Sequence, residues 1–277
     1  MQIYAYYLPC DKYSLLFFNA SRLSIARRNT FLHTSQCFSC KFHNFGIDME
    51  RENTSSRILE VCCADLQSVR AAVDGGAQRV ELCQALELGG VTPSAGMIEY
   101  AVEAGVRVHV LIRPRGGNFV YSPDEIRCMM RDIHMARILG ASGVVIGALT
   151  PQGDIDTTAC GWLAQQAQGM SVTFHRAFDE CRNPLRALED VIGLGCHRLL
   201  TSGHAPSVTE GITLLRQLVE QAGSRITILP GCGINPENAR RILEQSGASE
   251  LHGSLRKDGH TDVHMVRLTL AAMQSAG

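Results

Sequence analysis

The chain has 277 residues, 45% hydrophobic and 19% charged, which is the composition of a folded globular protein and excludes a disordered one. With 26 basic against 27 acidic residues, the net charge of -1 offers no general electrostatic basis for binding nucleic acid or an anionic lipid surface. No apolar run approaches the roughly 18 to 20 residues that a membrane-spanning helix needs.

Composition divides the chain in two. Residues 1–57 hold ten of the 16 aromatic side chains. They also contain an acid-free stretch from Lys12 to Ile47 that carries Arg22, Arg27, Arg28 and Lys41 among several serines. Basic, serine-bearing and acid-poor is the pattern of an organelle transit segment. The same residues also read as a disordered extension, or as sequence upstream of a true start at Met49. Cys37, Cys40 and His43 offer three of the four ligands that a structural zinc site requires, with no second pair nearby to complete it. The eleven cysteines of the whole chain are odd in number and scattered, so most read as reduced thiols of a cytoplasmic protein; an organelle is the alternative if residues 1–48 are a transit segment.

From Ile58 onward, short apolar runs alternate with amphipathic stretches. Strands are predicted over 58–62, 79–83, 106–112, 143–147, 171–175, 198–201, 225–229 and 250–252. Helices are predicted over 66–73, 94–104, 122–139, 156–168, 184–194, 207–222 and 236–245. Ser122-Pro123-Asp124-Glu125 is an N-cap, a first-turn proline and two first-turn acids. Gly75, Gly105, Gly140 and Gly195 stand where helices should end. Strands alternating with helices imply a parallel sheet. Eight such units in about 200 residues imply a closed (β/α)8 TIM-type barrel over residues 58–277. A doubly wound sheet would carry a glycine fingerprint after its first strand, where this chain has Cys62-Cys63-Ala64-Asp65.

Working residues of such a barrel sit at the carboxyl ends of its strands. Alternation places Glu60 with Cys62, and Glu81 with Cys83, on one face of each strand, facing the barrel interior if the apolar residues between them pack against helices. His109, Leu111, Arg113 and Arg115 share one parity after strand three; Thr173 and His175 end strand five; Glu250 and His252 end strand eight. Arg113 is the expected partner of the two glutamates, with Arg115 or Arg176 as a second cation. The glutamates read either as a closed internal salt-bridge layer or as part of a ligand site. Ser202-Gly203 after strand six and Gly231 with Gly233 after strand seven leave backbone N–H groups able to approach an anion, or serve tight closure of the barrel. Residues 113–121, with Gly116-Gly117 and the aromatic Phe119 and Tyr121, read as a mobile lid or an ordinary long loop.

Seven segments in order resemble the CutC family: Leu-Glu-Val-Cys (59–62), Arg-Val-Glu-Leu-Cys (79–83), Gly-Gly-Val-Thr-Pro-Ser (89–94), Ile-Arg-Pro-Arg-Gly-Gly (112–117), Thr-Phe-His-Arg-Ala-Phe-Asp (173–179), Leu-Thr-Ser-Gly (200–203) and Pro-Gly-Cys-Gly-Ile (230–234). The resemblance runs from about Ile58 to Ser254. It implies a TIM-type barrel in the cytoplasm, a role in copper homeostasis, Cys62 and Cys83 as metal ligands, and homo-oligomers. Cys63, Cys232 and the short segment 256–262 depart from the family's pattern.

Two functions follow. Thiolates are soft ligands that suit Cu(I), and neighbouring strands would let Cys62 and Cys83 share one ion in near-linear coordination. Alternatively, Glu60, Glu81, Arg113, His175 and His252 would serve an isomerase or lyase acting on a small anionic metabolite that carries a carboxylate or a phosphate, with Arg113, Arg115, Ser202, Gly203, Gly231 and Gly233 binding the anion. Lysine is absent between positions 58 and 253, which excludes a Schiff-base aldolase in the barrel.

Overall fold

A computed structural model describes residues 57–276. The transit-type, disordered or upstream reading of residues 1–56, and the Cys37, Cys40 and His43 cluster, lie outside the described residues.

The described chain alternates strand and helix eight times: β1 (Ile58–Cys63), α1 (Leu66–Gly75), β2 (Arg79–Leu82), α2 (Ala95–Glu103), β3 (Arg107–Leu111), α3 (Pro123–Ile138), β4 (Gly143–Ile146), α4 (Thr157–Gln166), β5 (Ser171–Phe174), α5 (Pro184–Gly193), β6 (Arg198–Thr201), α6 (Ile212–Ala222), β7 (Thr227–Pro230), α7 (Ala239–Ser246), β8 (Glu250–Gly253) and α8 (Val263–Gln274). A small antiparallel hairpin of β9 (Arg256–Lys257) and β10 (His260–Thr261) lies between β8 and α8. The strands form one parallel sheet in the order β7-β6-β5-β4-β3-β2-β1-β8. The hydrogen-bonded ladder therefore runs through seven strand pairs, and the barrel is nearly closed, with β7 and β8 meeting as neighbours without a ladder.

Strand parity builds two separate apolar clusters. Leu59, Val61, Cys63, Val80 and Leu82 belong to the large core between sheet and helices. Cys62, Cys83, Leu111 and Val145 form a small cluster inside the barrel. Cys63 thus faces the helices, as its parity requires.

Local capping sets most helix limits. Ser122 and Glu125 form a reciprocal capping box at the start of α3, and Asp65, Asp156 and Asn183 cap α1, α4 and α5. Three limits differ from expectation. Gly75 lies inside α1 and Gly76 ends it; a Cβ on Gly75 would stand 2.5 Å from the Val266 side chain, so this glycine serves the close approach of α1 to α8. Helix α6 starts at Ile212, because Ser207 closes a local turn on Glu210. Helix α8 was outside the predicted set; Asp262 caps it on Met265.

Candidate functional site

The barrel interior is layered by charge. In its lower layer Arg79 Nε donates to Glu60 and its Nη2 to Glu250, and Arg198 Nε donates to Glu250 at 2.9 Å. All four side chains are buried. Against the burial that would raise it, the Arg79 guanidinium and the His252 imidazole hold the Glu60 carboxyl well below the usual carboxylate range. Burial and the Arg79 charge push the neighbouring His109 imidazole well down, so it is neutral. Of the two glutamates expected to pair with Arg113, Glu60 pairs with Arg79 and Glu81 faces His252, while Arg198 serves Glu250, so the expectation of Arg113 is corrected. The reason is register: Glu60 stands directly opposite Arg79 in the β1–β2 ladder, while Arg113 lies beyond the end of β3.

Above this layer the polar groups turn chemical. His252 Nδ1 lies 2.7 Å from Glu60 Oε1, and its Nε2 lies 3.7 Å from Glu81 Oε2. Cys62 Sγ and Cys83 Sγ are 3.8 Å apart. One ligand atom each from Cys62, Glu81 and His252 falls within 4.8 Å of the others, and all three residues are buried. Hydrogen bonding to Cys83 and burial raise the Cys62 thiol well above its ordinary value. Burial raises the Glu81 carboxyl. His252 is raised despite burial, because Glu81, Cys62 and Glu60 all favour its charged form.

These groups form the floor of a pocket of about 580 Å³ at the carboxyl ends of the strands. Its walls include Arg113, Phe119, His175, Arg176 and His204. Arg113 is half-sequestered by the chain: Nη1 donates to the carbonyls of Leu88 and Gly90, and Nη2 to that of Gly117. Two glycines on and after β4 make room for imidazoles. A Cβ on Gly143 would come within 2.5 Å of the His109 ring, and one on Gly147 within 2.5 Å of the His175 ring.

Five of the expected anion-binding residues stand outside this pocket's lining. Arg115 pairs with Glu125, donates to the carbonyls of Asn118 and Val120, and lies over the Tyr121 ring, with its side chain 39% exposed. The Gly231 N–H donates to the Thr201 carbonyl, and the Gly203 N–H to Thr201 Oγ1. The Ser202 N–H and hydroxyl are both engaged by Asp179. Gly233 receives the Asn238 side-chain amide on its carbonyl. The N–H groups of Gly203 and Gly231 are thus both engaged by Thr201. The loop at residues 113–121 has its carbonyls pinned by Arg113 and Arg115. Sequence reasoning missed Arg79 and Arg198; the signal was their parity, which matches Glu81 and Leu200 and so points inward.

Comparison with known proteins gives one family. The CutC family profile matches residues 57–257. The family protein CutC of Pasteurella multocida (strain Pm70) is 51% identical over 195 residues, covering 70% of this chain and 80% of that protein. Its counterpart in Bacteroides thetaiotaomicron is 51% identical over 207 residues, covering 74% and 83%. A crystal structure from Streptococcus agalactiae, described provisionally as the copper homeostasis protein CutC, superposes with a TM-score of 0.68 at 37% identity, over 72% of this chain and 98% of that one. A Pyrococcus furiosus thiamine phosphate pyrophosphorylase, at 16% identity and a TM-score of 0.54, shares the barrel fold alone. On sequence, on fold and on its ordered motifs, the chain belongs to the CutC family.

Proposed function

We propose that the chain acts in copper homeostasis by binding Cu(I) in the cytoplasm, with Cys62 and Cys83 as thiolate ligands and His252 Nε2 beside them. The observation that carries this reading is the pair of buried sulfurs 3.8 Å apart over a His252 already oriented by Glu60. A ligating histidine is commonly held in this way by a carboxylate on its other nitrogen. The donor set is soft, as Cu(I) prefers. With metal–sulfur bonds of about 2.3 Å, sulfurs at this separation subtend roughly 110° at the metal. A bent arrangement of this kind leaves room for His252 or Glu81 as a third ligand. All eight described cysteines are free, which suits a reducing compartment. Cu(I) must displace the Cys62 proton, so apparent affinity rises with pH through the neutral range.

The test is an anaerobic Cu(I) titration against a chromogenic chelator. One ion per chain is expected for the wild type and none for the Cys62→Ser/Cys83→Ser protein. Unchanged stoichiometry in the double variant overturns the reading.

A second reading is favoured by the size of the pocket, which far exceeds one ion, and by His252 set between Glu60 and Glu81. An imidazole held charged by two carboxylates is equipped to donate a proton, as an isomerase or lyase acting on a small anion requires.

A further inference from the structure

The mouth of the pocket holds two buried donors that the protein leaves without acceptors. Arg113 and His175 are each only 5% exposed. Arg113 Nε and His175 Nε2 have no hydrogen-bond partner among the described residues, nor has the buried Tyr121 hydroxyl beside Arg113. The His175 tautomer follows from its other nitrogen: Nδ1 accepts the Ala177 N–H at 3.1 Å, so the ring proton sits on Nε2. Burial and the Arg113 charge also push this imidazole down to about 3, which keeps it a neutral donor. Arg113 has five N–H donors, of which three reach carbonyls, so Nε and one Nη2 hydrogen remain. Buried donors are rarely left unpaired, and an unpaired cluster in a pocket points to a ligand that supplies the acceptors.

The two groups sit together. The Phe119 ring lies 4.8 Å from the Arg113 guanidinium carbon and 5.0 Å from the His175 ring centroid. Neither free nitrogen reaches solvent, so binding requires side chains at the mouth to shift. The rest of the lining selects the ligand's charge. Glu81, Asp179 and Glu180 oppose Arg113 and Arg176, which disfavours a dianion. The backbone donors of Ser202, Gly203 and Gly231 that would cradle a phosphate are occupied within the protein.

We propose that this pocket binds a small organic carboxylate bearing an oxygen on the adjacent carbon, a 2-oxo or 2-hydroxy acid, with the carboxylate on Arg113 and the second oxygen on the His175 Nε2–H. A neutral imidazole donor at a carbonyl oxygen stabilises negative charge developing there. The Glu81 and His252 pair on the pocket floor is then the source or sink of the proton. This inference deepens the small-anion reading, narrowing its substrate from a carboxylate or phosphate to a 2-oxo or 2-hydroxy acid, and does not depend on copper.

The experiment is calorimetric titration of the full-length chain with pyruvate, 2-oxobutyrate, lactate and 2-hydroxybutyrate, with glycerol 3-phosphate and inorganic phosphate alongside. At least one carboxylate is expected to saturate one site per chain. Arg113→Gln and His175→Phe should each weaken it about tenfold or more, the cost of a charge-assisted or buried hydrogen bond. Thermal midpoints are read in parallel. Because Arg113 also ties down three carbonyls, Phe119→Leu serves as a variant that leaves both donors in place and should retain binding. Failure of every carboxylate to saturate overturns the proposal, as does equal affinity in the wild type and the His175→Phe protein. Saturation by glycerol 3-phosphate alone overturns the carboxylate assignment while upholding the small-anion reading; failure of both ligand classes removes that reading too.

Discussion

The floor and the mouth of the barrel are built from the same residue types to opposite ends. In the floor, Arg79 and Arg198 meet Glu60 and Glu250, so two cations answer two anions within hydrogen-bonding reach. At the mouth, Arg113 takes backbone carbonyls as its partners and keeps its Nε free, and His175 keeps its Nε2 free. The difference teaches where to look for function in a polar barrel. A buried charge that carboxylates neutralise is part of the structure, even where Arg79 Nη1 and the neighbouring His109 Nδ1 are left without partners, whereas the Arg113 charge, met by carbonyls alone beside a pocket, marks a place for something else.

The strongest way to break this comparison is Arg79→Met. It leaves Glu60 and Glu250 buried without their shared cation, and removing one partner of a buried pair costs about 3–5 kcal/mol. Urea unfolding of the variant should show a loss of that order. A loss near zero would mean that the floor charges do not depend on one another, and the contrast with the mouth would collapse.

A pH series sharpens the mouth. His175 titrates near 6.5 when unfolded and is held down to about 3 when folded. The unfolded state therefore binds the extra proton between these values, and stability falls as pH drops through that window. At full effect the slope is about 1.4 kcal/mol per pH unit. His175→Phe should flatten the curve of unfolding free energy against pH by up to that amount below pH 6.5. Parallel curves for the two proteins would mean that the ring is not buried neutral.

Gly143→Ala probes how closely the floor is packed. Its new methyl group meets the His109 ring, and overpacking of this kind costs about 1–3 kcal/mol. The same measurement on Ser122→Ala, which removes the capping box of α3 far from either region, should show about 1 kcal/mol. If the cap variant loses more than Gly143→Ala, the interior has more slack than the distances indicate.

Much of this architecture was legible before any coordinate. Strand positions agree to within two residues, because alternating apolar residues and capping motifs are local signals. The inward facing of Glu60, Cys62, Glu81 and Cys83 followed from the period of two along a strand. The eighth helix, Val263–Gln274, was left out of the predicted ranges although Asp262 offers a local cap for it.

The sequence by itself determined the barrel, its family, and which side chains enter its interior, since all of these depend on periodicity and ordered motifs along one chain. Only the tertiary structure decided which of those side chains find each other. Register made Arg79 the partner of Glu60, the β1–β2 pairing left Cys83 3.8 Å from Cys62, and Thr201 at the end of β6 took up the Gly203 and Gly231 N–H groups that looked ready for an anion. The physical reason is range. Strand and helix patterns are set by interactions between near neighbours in sequence, whereas a charge's partner is chosen by distance across the barrel, which no spacing along the chain records.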